Sequence, residues 1–177
     1  MDLMYFLLNK VMKLSICIPT RNRPIQLRNC LNSIYISKLK SQLEFDVCIS
    51  DNGSNYDIKK LINEFEDKLK IKINLNRENL GYQLNLNKTI SMSNAEFVWA
   101  IGDDDLILPD GLLMIEKLFK KYVDLDFFYV NSYCLDYEFI NKFDQPFNTN
   151  FLPNNQKLRT KKNIFSLFNN SSFIGRS

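Results

Sequence analysis

Four short apolar runs order the first part of the chain: residues 14–19 (LSICIP), 45–50 (FDVCIS), 71–75 (IKINL) and 97–101 (FVWAI). Each is too brief for a helix, is rich in β-branched or aromatic residues, and stops at a proline or in a polar turn, which marks a strand. The first, second and fourth are nearly continuous, as strands buried on both faces are, whereas the third alternates. Residues 127–130 (FFYV) begin a fifth. The intervening segments carry helical spacing. Asn22 and Pro24 signal a helix start, followed by Leu27, Leu31, Ile34 and Tyr35. Ile58, Leu61, Ile62, Phe65 and Leu69 mark a second helix. A polar helical stretch runs from Asn79 to about Ser93, and Pro109 with Asp110 starts another that carries Leu112, Ile115 and Phe119. Strands alternating with helices predict an α/β fold, a mainly parallel central sheet with helices on both faces. Ligands of such sheets bind beyond the carboxyl ends of the strands, where the strand order reverses.

Composition narrows the chemistry. The 177 residues, 45% of them hydrophobic, suit one domain with a real core. A net charge of +3, spread evenly along the chain, does not describe a nucleic-acid binder. There is no histidine, which removes His-based triads, His metal ligands and imidazole acid–base catalysis. Catalysis must then rest on carboxylates, a metal ion or cationic side chains. Cys17, Cys30, Cys48 and Cys134 show no CxxC spacing, so neither a disulfide framework nor a zinc site is expected. The apolar stretch at residues 3–8 is too short for a membrane span and reads as part of an N-terminal extension, residues 1–13. The expected compartment is the cytoplasm.

The strand ends hold the informative residues. Asp103, Asp104 and Asp105 follow the fourth run directly. Adjacent carboxylates repel one another, and a hard divalent cation, Mg²⁺ or Mn²⁺, would compensate them while sharing its sphere with phosphate oxygens. Without an ion they would form a solvated acidic turn ahead of the next helix. Asp51, at the end of the second run, can accept hydrogen bonds from a base or ribose, or close an Asx-turn with Ser54. Thr20, Arg21 and Arg23 offer a hydroxyl and two cations to ribose or phosphate, or cap the next helix. Gly81 permits close backbone approach to a ligand and is equally compatible with a plain turn. After about Tyr137 the periodicity fades, and residues 141–163 read as a loop or lid. Lys157, Arg159, Lys161 and Lys162 there could meet a phosphorylated acceptor or an anionic membrane surface, or be simply solvated. Phe165, Phe168 and Phe173 read as core.

Taken together, residues 14–34 (LSICIPTRNRPIQLRNCLNSI), 47–55 (VCISDNGSN) and 79–112 (NLGYQLNLNKTISMSNAEFVWAIGDDDLILPDGL) resemble the family 2 glycosyltransferases of GT-A fold. The GDDD form and residues 170–175 (NSSFIG) look closest to abequosyltransferase-like members of bacterial surface-polysaccharide pathways. The resemblance implies a nucleotide-sugar donor domain over residues 14–137, with residues 138–177 forming a loop or lid and the start of an incomplete acceptor-binding part.

It further implies that Pro19, Thr20, Arg21, Asp51, Asn79, Gly81, Asp103 and Asp104 bind the nucleotide, and that Asp105, with Asp103, holds Mn²⁺ or Mg²⁺. Asn52 departs from the family's second aspartate in its Asp-Asp-Gly-Ser motif. The implied reaction is a metal-assisted, inverting single displacement from a nucleoside-diphosphate sugar to a saccharide or lipid-linked acceptor, with possible peripheral contact to the inner face of the membrane. The general base of the family falls well past its aspartate motif, so here it is expected beyond Ser177, with Asp136, Glu138 and Asp144 as the acidic residues remaining after the fifth strand. A shortened chain is the expectation. Two other readings stay open: a catalytically silent nucleotide-sugar-binding domain, and a sugar-phosphate nucleotidyltransferase. The second would need a glycine-rich basic loop after the first strand, and PTRNRP has no glycine.

Overall fold

The computed structural model describes residues 13–124, 126–130 and 173–176. Its elements run β1 (Leu14–Thr20), α1 (Pro24–Lys38), β2 (Phe45–Asp51), α2 (Ile58–Asn63), β3 (Ile71–Leu75), α3 (Tyr82–Ser91), β4 (Phe97–Ala100), α4 (Gly111–Lys121), β5 (Phe127–Tyr129) and β6 (Phe173–Arg176). The sheet order is β3-β2-β1-β4-β6-β5. Strands β1 to β4 are parallel, and β6 runs antiparallel to β4. The chain divides into two units, residues 1–128 with 174–177, and residues 129–173. Residues 13–128 and 174–176 carry everything that follows. The expectations for residues 1–12, Cys134, Asp136, Glu138, Asp144, the loop at 141–163 with its basic cluster, Phe165 and Phe168 lie outside the described residues, as does the side chain of Phe173.

Every residue of β1 and β2 is buried, as the continuous apolar runs require. Alternation sends their side chains to two different layers. On one face Cys17 Sγ meets the Thr89 carbonyl of α3 at 3.6 Å, and Ser93 Oγ donates to Ser15 Oγ at 2.8 Å. On the other, Phe97 stacks on Phe119 of α4 with ring centroids 4.8 Å apart, and Phe128 closes the cluster 5.4 Å from Phe119. Helix α1 joins this second layer through Leu27, Leu31 and Ile34, all fully buried. Each such side chain stabilises the fold by roughly 1.5–3 kcal/mol relative to exposure. Ser37 Oγ accepts from Leu112 N at 2.9 Å and so locks α1 to α4.

The sequence expectation differs from the structure in two places. Phe65 and Leu69 are buried, but α2 ends at Asn63 and they sit in the turns behind it. Apolar spacing reported their burial and overstated the helix. The antiparallel strand β6, which enters between β4 and β5, was not expected as part of the sheet.

Candidate functional site: the carboxyl ends of β1, β2 and β4

The strand order reverses between β1 and β4, because the chain builds leftward through β2 and β3 and then crosses back. Register places Thr20, the last residue of β1, beside Asp51, the last of β2. Both side chains therefore leave the sheet on the same face. The β1–β4 ladder runs from Leu14↔Phe97 to Cys17↔Ala100, so the two chains part just before Asp103. In that crevice Thr20 Oγ1 donates to Asp103 Oδ2 at 2.7 Å.

Asp103 is only 5% exposed, and its burial raises its pKa above the usual carboxylate range, against the opposing pull of Thr20 and Arg23. Arg23 Nη1 lies 3.2 Å from Asp103 Oδ1 and 2.8 Å from Asp104 Oδ2. Asp105 is exposed as a residue, yet its carboxyl is also raised, chiefly by partial desolvation, while Gly102 N–H donates to its Oδ2 at 2.7 Å. Asp51 is 5% exposed and closes its own turn: Ser54 N–H donates to Oδ2 at 3.2 Å, and Ser54 Oγ makes a short bond to Oδ1. The Tyr56 hydroxyl is buried beside Thr20, Asp51 and Asp103, and burial together with the two carboxylates pushes it up to about 12.

Two loops complete the rim. Asn22 takes a left-handed conformation (φ 55°), donates through its N–H to Ser54 Oγ at 2.8 Å and accepts from Asn55 N–H at 2.9 Å. This clips the β1 loop to the β2 loop. Gly53 has φ +70°, and a Cβ there would stand 2.8 Å from the Glu78 carbonyl carbon, so only glycine fits. Asn52 binds the third loop: its Nδ2 donates to Asn79 Oδ1 (2.9 Å) and Gly81 O (3.2 Å), while its Oδ1 accepts from Leu80 N–H at 2.8 Å. Helix α3 is fixed behind by Asn85, which donates to Ser50 O at 2.9 Å and accepts from Ser50 Oγ at 2.7 Å.

The expected residues therefore gather unequally. Thr20, Asp51, Asp103, Asp104 and Asp105 meet at the strand ends, with Asn79 and Gly81 on the adjoining loop. Pro19 is buried within β1, opposite Ser50. Arg21 is exposed and pairs with none of the three aspartates; Arg23 takes that place. Tyr56 and Asn85 were not singled out from sequence. The Tyr56 signal was its position just past the Asp51 turn, and the Asn85 signal was an amide on the inward stripe of a polar helix.

The donor set fits a hard divalent cation. The Asp104 and Asp105 carboxylates close over Gly102, where a methyl group would stand 2.7 Å from Asp104 Oδ1 and 3.3 Å from Asp105 Oδ2. Their oxygens thus share one small region, and the raised Asp105 marks a carboxylate that positive charge would relieve. Among the described residues no three acidic or thiol side chains already form a cage. That is ordinary for ions that complete their sphere with substrate phosphates and water.

Abequosyltransferase RfbV of Salmonella typhimurium is 32% identical over 116 residues, which covers 64% of this chain and 34% of that protein. The GalNAc(5)-diNAcBac-PP-undecaprenol beta-1,3-glucosyltransferase of Campylobacter jejuni is 29% identical over 114 residues, covering 62% of this chain and 36% of that protein. The chain thus spans about a third of the length of the curated relatives it matches. Among solved structures, S. aureus TarS 1-349 in complex with UDP superposes with a TM-score of 0.59 at 24% identity, over 66% of this chain and 34% of that one. This likeness shows the fold, that of the GT-A transferases. The sequence pattern of Glycosyl transferase family 2 matches residues 15–176, nearly the whole length, and the chain belongs to that family.

Proposed function

We propose that these residues form the donor site of a glycosyltransferase, which takes a nucleoside-diphosphate sugar and passes the sugar, with inversion, to a saccharide or lipid-linked acceptor in bacterial surface-polysaccharide synthesis. The observation that carries the reading is the Thr20–Asp103 bond across the reversal of strand order, with Asp51 in register beside it. A hydroxyl-anchored carboxylate and a second carboxylate one strand away suit a ligand with a ribose flanked by a base and phosphates. The bacterial transferases to which the chain is similar, one of them named for an undecaprenol-linked acceptor, support the acceptor class.

In this reading Asp51 meets the base or ribose, Asn79 and Gly81 line the nucleotide, and Asp104, exposed at the rim, reaches the ribose. Asp105 and Asp103 hold Mn²⁺ or Mg²⁺, which supplies charge stabilisation to the departing diphosphate. The protein's part is orientation. Thr20 fixes one Asp103 oxygen, the Gly102 amide fixes one Asp105 oxygen, and the Asn22 and Asn52 clips hold the three loops around the crevice. Pro19 shapes the first turn, and Arg21 stands outside it as a cation for the donor's far side. None of the described carboxylates is placed as acceptor base. The proposed compartment is the cytoplasm; among the described residues no helix is long and apolar enough to cross a membrane.

Calorimetry with UDP, GDP, CDP and dTDP, with Mn²⁺ and then with EDTA, tests the donor site. One of them should bind, and at a hundredfold excess over Kd it should stabilise the protein by about 2.7 kcal/mol. Binding unaffected by EDTA would overturn the metal role, and no binding by any of the four would overturn the donor site. A transfer assay on lipid-linked acceptors then separates an active enzyme from a silent binding domain.

A further inference from the structure

The Arg23 guanidinium stands where a bound cation would. Its Nη1 bridges Asp103 Oδ1 and Asp104 Oδ2 at 3.2 and 2.8 Å. Arg23 is also the N-cap residue of α1, and its guanidinium, having no acceptor, is not engaged by the helix amides. Its backbone is held, since Leu27 N–H donates to the Arg23 carbonyl at 3.0 Å, while the side chain is 50% exposed and has room to move. The other Asp103 oxygen is already taken by Thr20. On Asp103, the one oxygen left for an outside cation is therefore the one that Arg23 occupies.

A divalent ion held by Asp103 and Asp105 and a guanidinium cannot share the remaining Asp103 oxygen at contact distance, because each is repelled by the other in a half-buried site. One must leave. The displaced guanidinium is a rigid fork that matches phosphate oxygens in pairs. A nucleoside diphosphate brought in with the ion presents such oxygens at the same crevice. We infer that Arg23 is a resident counter-cation: it holds Asp103 and Asp104 until the divalent ion displaces it, and then takes up the donor's diphosphate. The inference rests on the donor reading above. Its thermodynamic content is a coupling between ion and nucleotide, since each makes room or supplies a partner for what the other releases, and such coupling is reciprocal.

Mn²⁺ binding followed by electron paramagnetic resonance, on the full 177-residue chain, with and without saturating UDP, GDP, CDP or dTDP in turn, tests this. Arg23→Gln removes the competitor and should bind Mn²⁺ alone about fivefold tighter than wild type, the scale of one partly exposed charge network. The enhancement of Mn²⁺ affinity by nucleotide should shrink by a similar factor. Arg23→Lys keeps the charge without the fork and should fall between. Arg28→Gln carries the same change in net charge, but its guanidinium pairs with Glu64 at 2.9 Å, so it should match wild type. Equal Mn²⁺ affinity in wild type and Arg23→Gln, including no measurable binding by either, would overturn the inference. A gain in Arg28→Gln as large as in Arg23→Gln would overturn it too, leaving only a general charge effect. If none of the four nucleotides binds wild type while Arg23→Gln still gains Mn²⁺ affinity, the donor reading falls and the displacement step stands.

Discussion

Thr20 Oγ1 and Asp103 Oδ2 lie 2.7 Å apart although 83 residues separate them in sequence. The bond spans the gap that opens where β1 and β4 cease to pair, so it fixes how wide the crevice stands. It also gives a buried carboxylate a donor that cannot be supplied by its own loop. Removing the hydroxyl by Thr20→Val should cost about 1.5–3 kcal/mol, the range for a hydrogen bond to a charged group. Urea unfolding measures the loss, and Thr20→Ser should recover most of it. A Thr20→Val protein as stable as wild type would show that Asp103 is satisfied by other means.

Asp105→Asn should leave the ion-free protein within about 1 kcal/mol of wild type, or slightly above it. Partial desolvation and the neighbouring Asp104 and Asp103 disfavour the Asp105 charge, and an asparagine carbonyl can still accept from Gly102 N–H. Mn²⁺-dependent nucleotide binding should nevertheless weaken by tenfold or more, on the order of one lost charged ligand. Thermal unfolding and calorimetry on the same sample check the two halves. A large loss of ion-free stability would make Asp105 a structural loop cap.

Asn52→Asp restores the aspartate that the family carries at this place, yet here it should destabilise. A carboxylate can still accept from Leu80 N–H, but it would face Asn79 Oδ1 and Gly81 O with no proton to give. The expected loss is about 1–3 kcal/mol, which lowers Tm by several degrees in a chain of this size. Unchanged Tm would mean that the loop at 79–81 reorients at no cost.

Glu116 sets an acid limit on stability. It accepts from Lys120, from Ser41 Oγ at 2.7 Å and from Gln42 N–H at 2.7 Å, and these hold its pKa down at about 2 against an ordinary value of 4.5. The stability that its charge contributes is complete above the ordinary value and is lost as pH falls toward the folded one. Glu116→Gln should therefore be less stable than wild type at pH 7, by about 1–2 kcal/mol, with the difference closing below about pH 3. A difference that stays constant across that range would assign the loss to packing.

Much of this arrangement was legible in the sequence because it is local. The runs at 14–19, 45–50, 71–75 and 97–101 became β1 to β4 within a residue at each end, and polar residues at the ends of three of them gather where the strand order reverses. What the sequence leaves open is nonlocal. Arg21 and Arg23 are equivalent as letters, and only the left-handed turn at Asn22 between them decides which one meets the aspartates. Asn52 reads only as a departure from the family's second aspartate, because its two amide partners lie in a loop 27 and 29 residues away. Tyr56 shows in sequence only by its position past the Asp51 turn, since its hydroxyl acquires significance between Asp51 and Asp103, which the fold brings together.

The pairing of β6 with β4 bears on how the chain is made. Phe97, Val98 and Trp99 lie opposite Arg176, Gly175 and Ile174. During synthesis β1 to β4 can assemble in the order in which they leave the ribosome, but the second edge of β4 must wait for residues 173–176. At about 5–20 residues per second, that edge stays open for roughly 4–15 s. An exposed strand edge is a template for other chains. Ribosome pausing between codons 100 and 173 would lengthen this interval, so yield of folded protein should depend on translation speed across a stretch that contributes nothing to the first four strands.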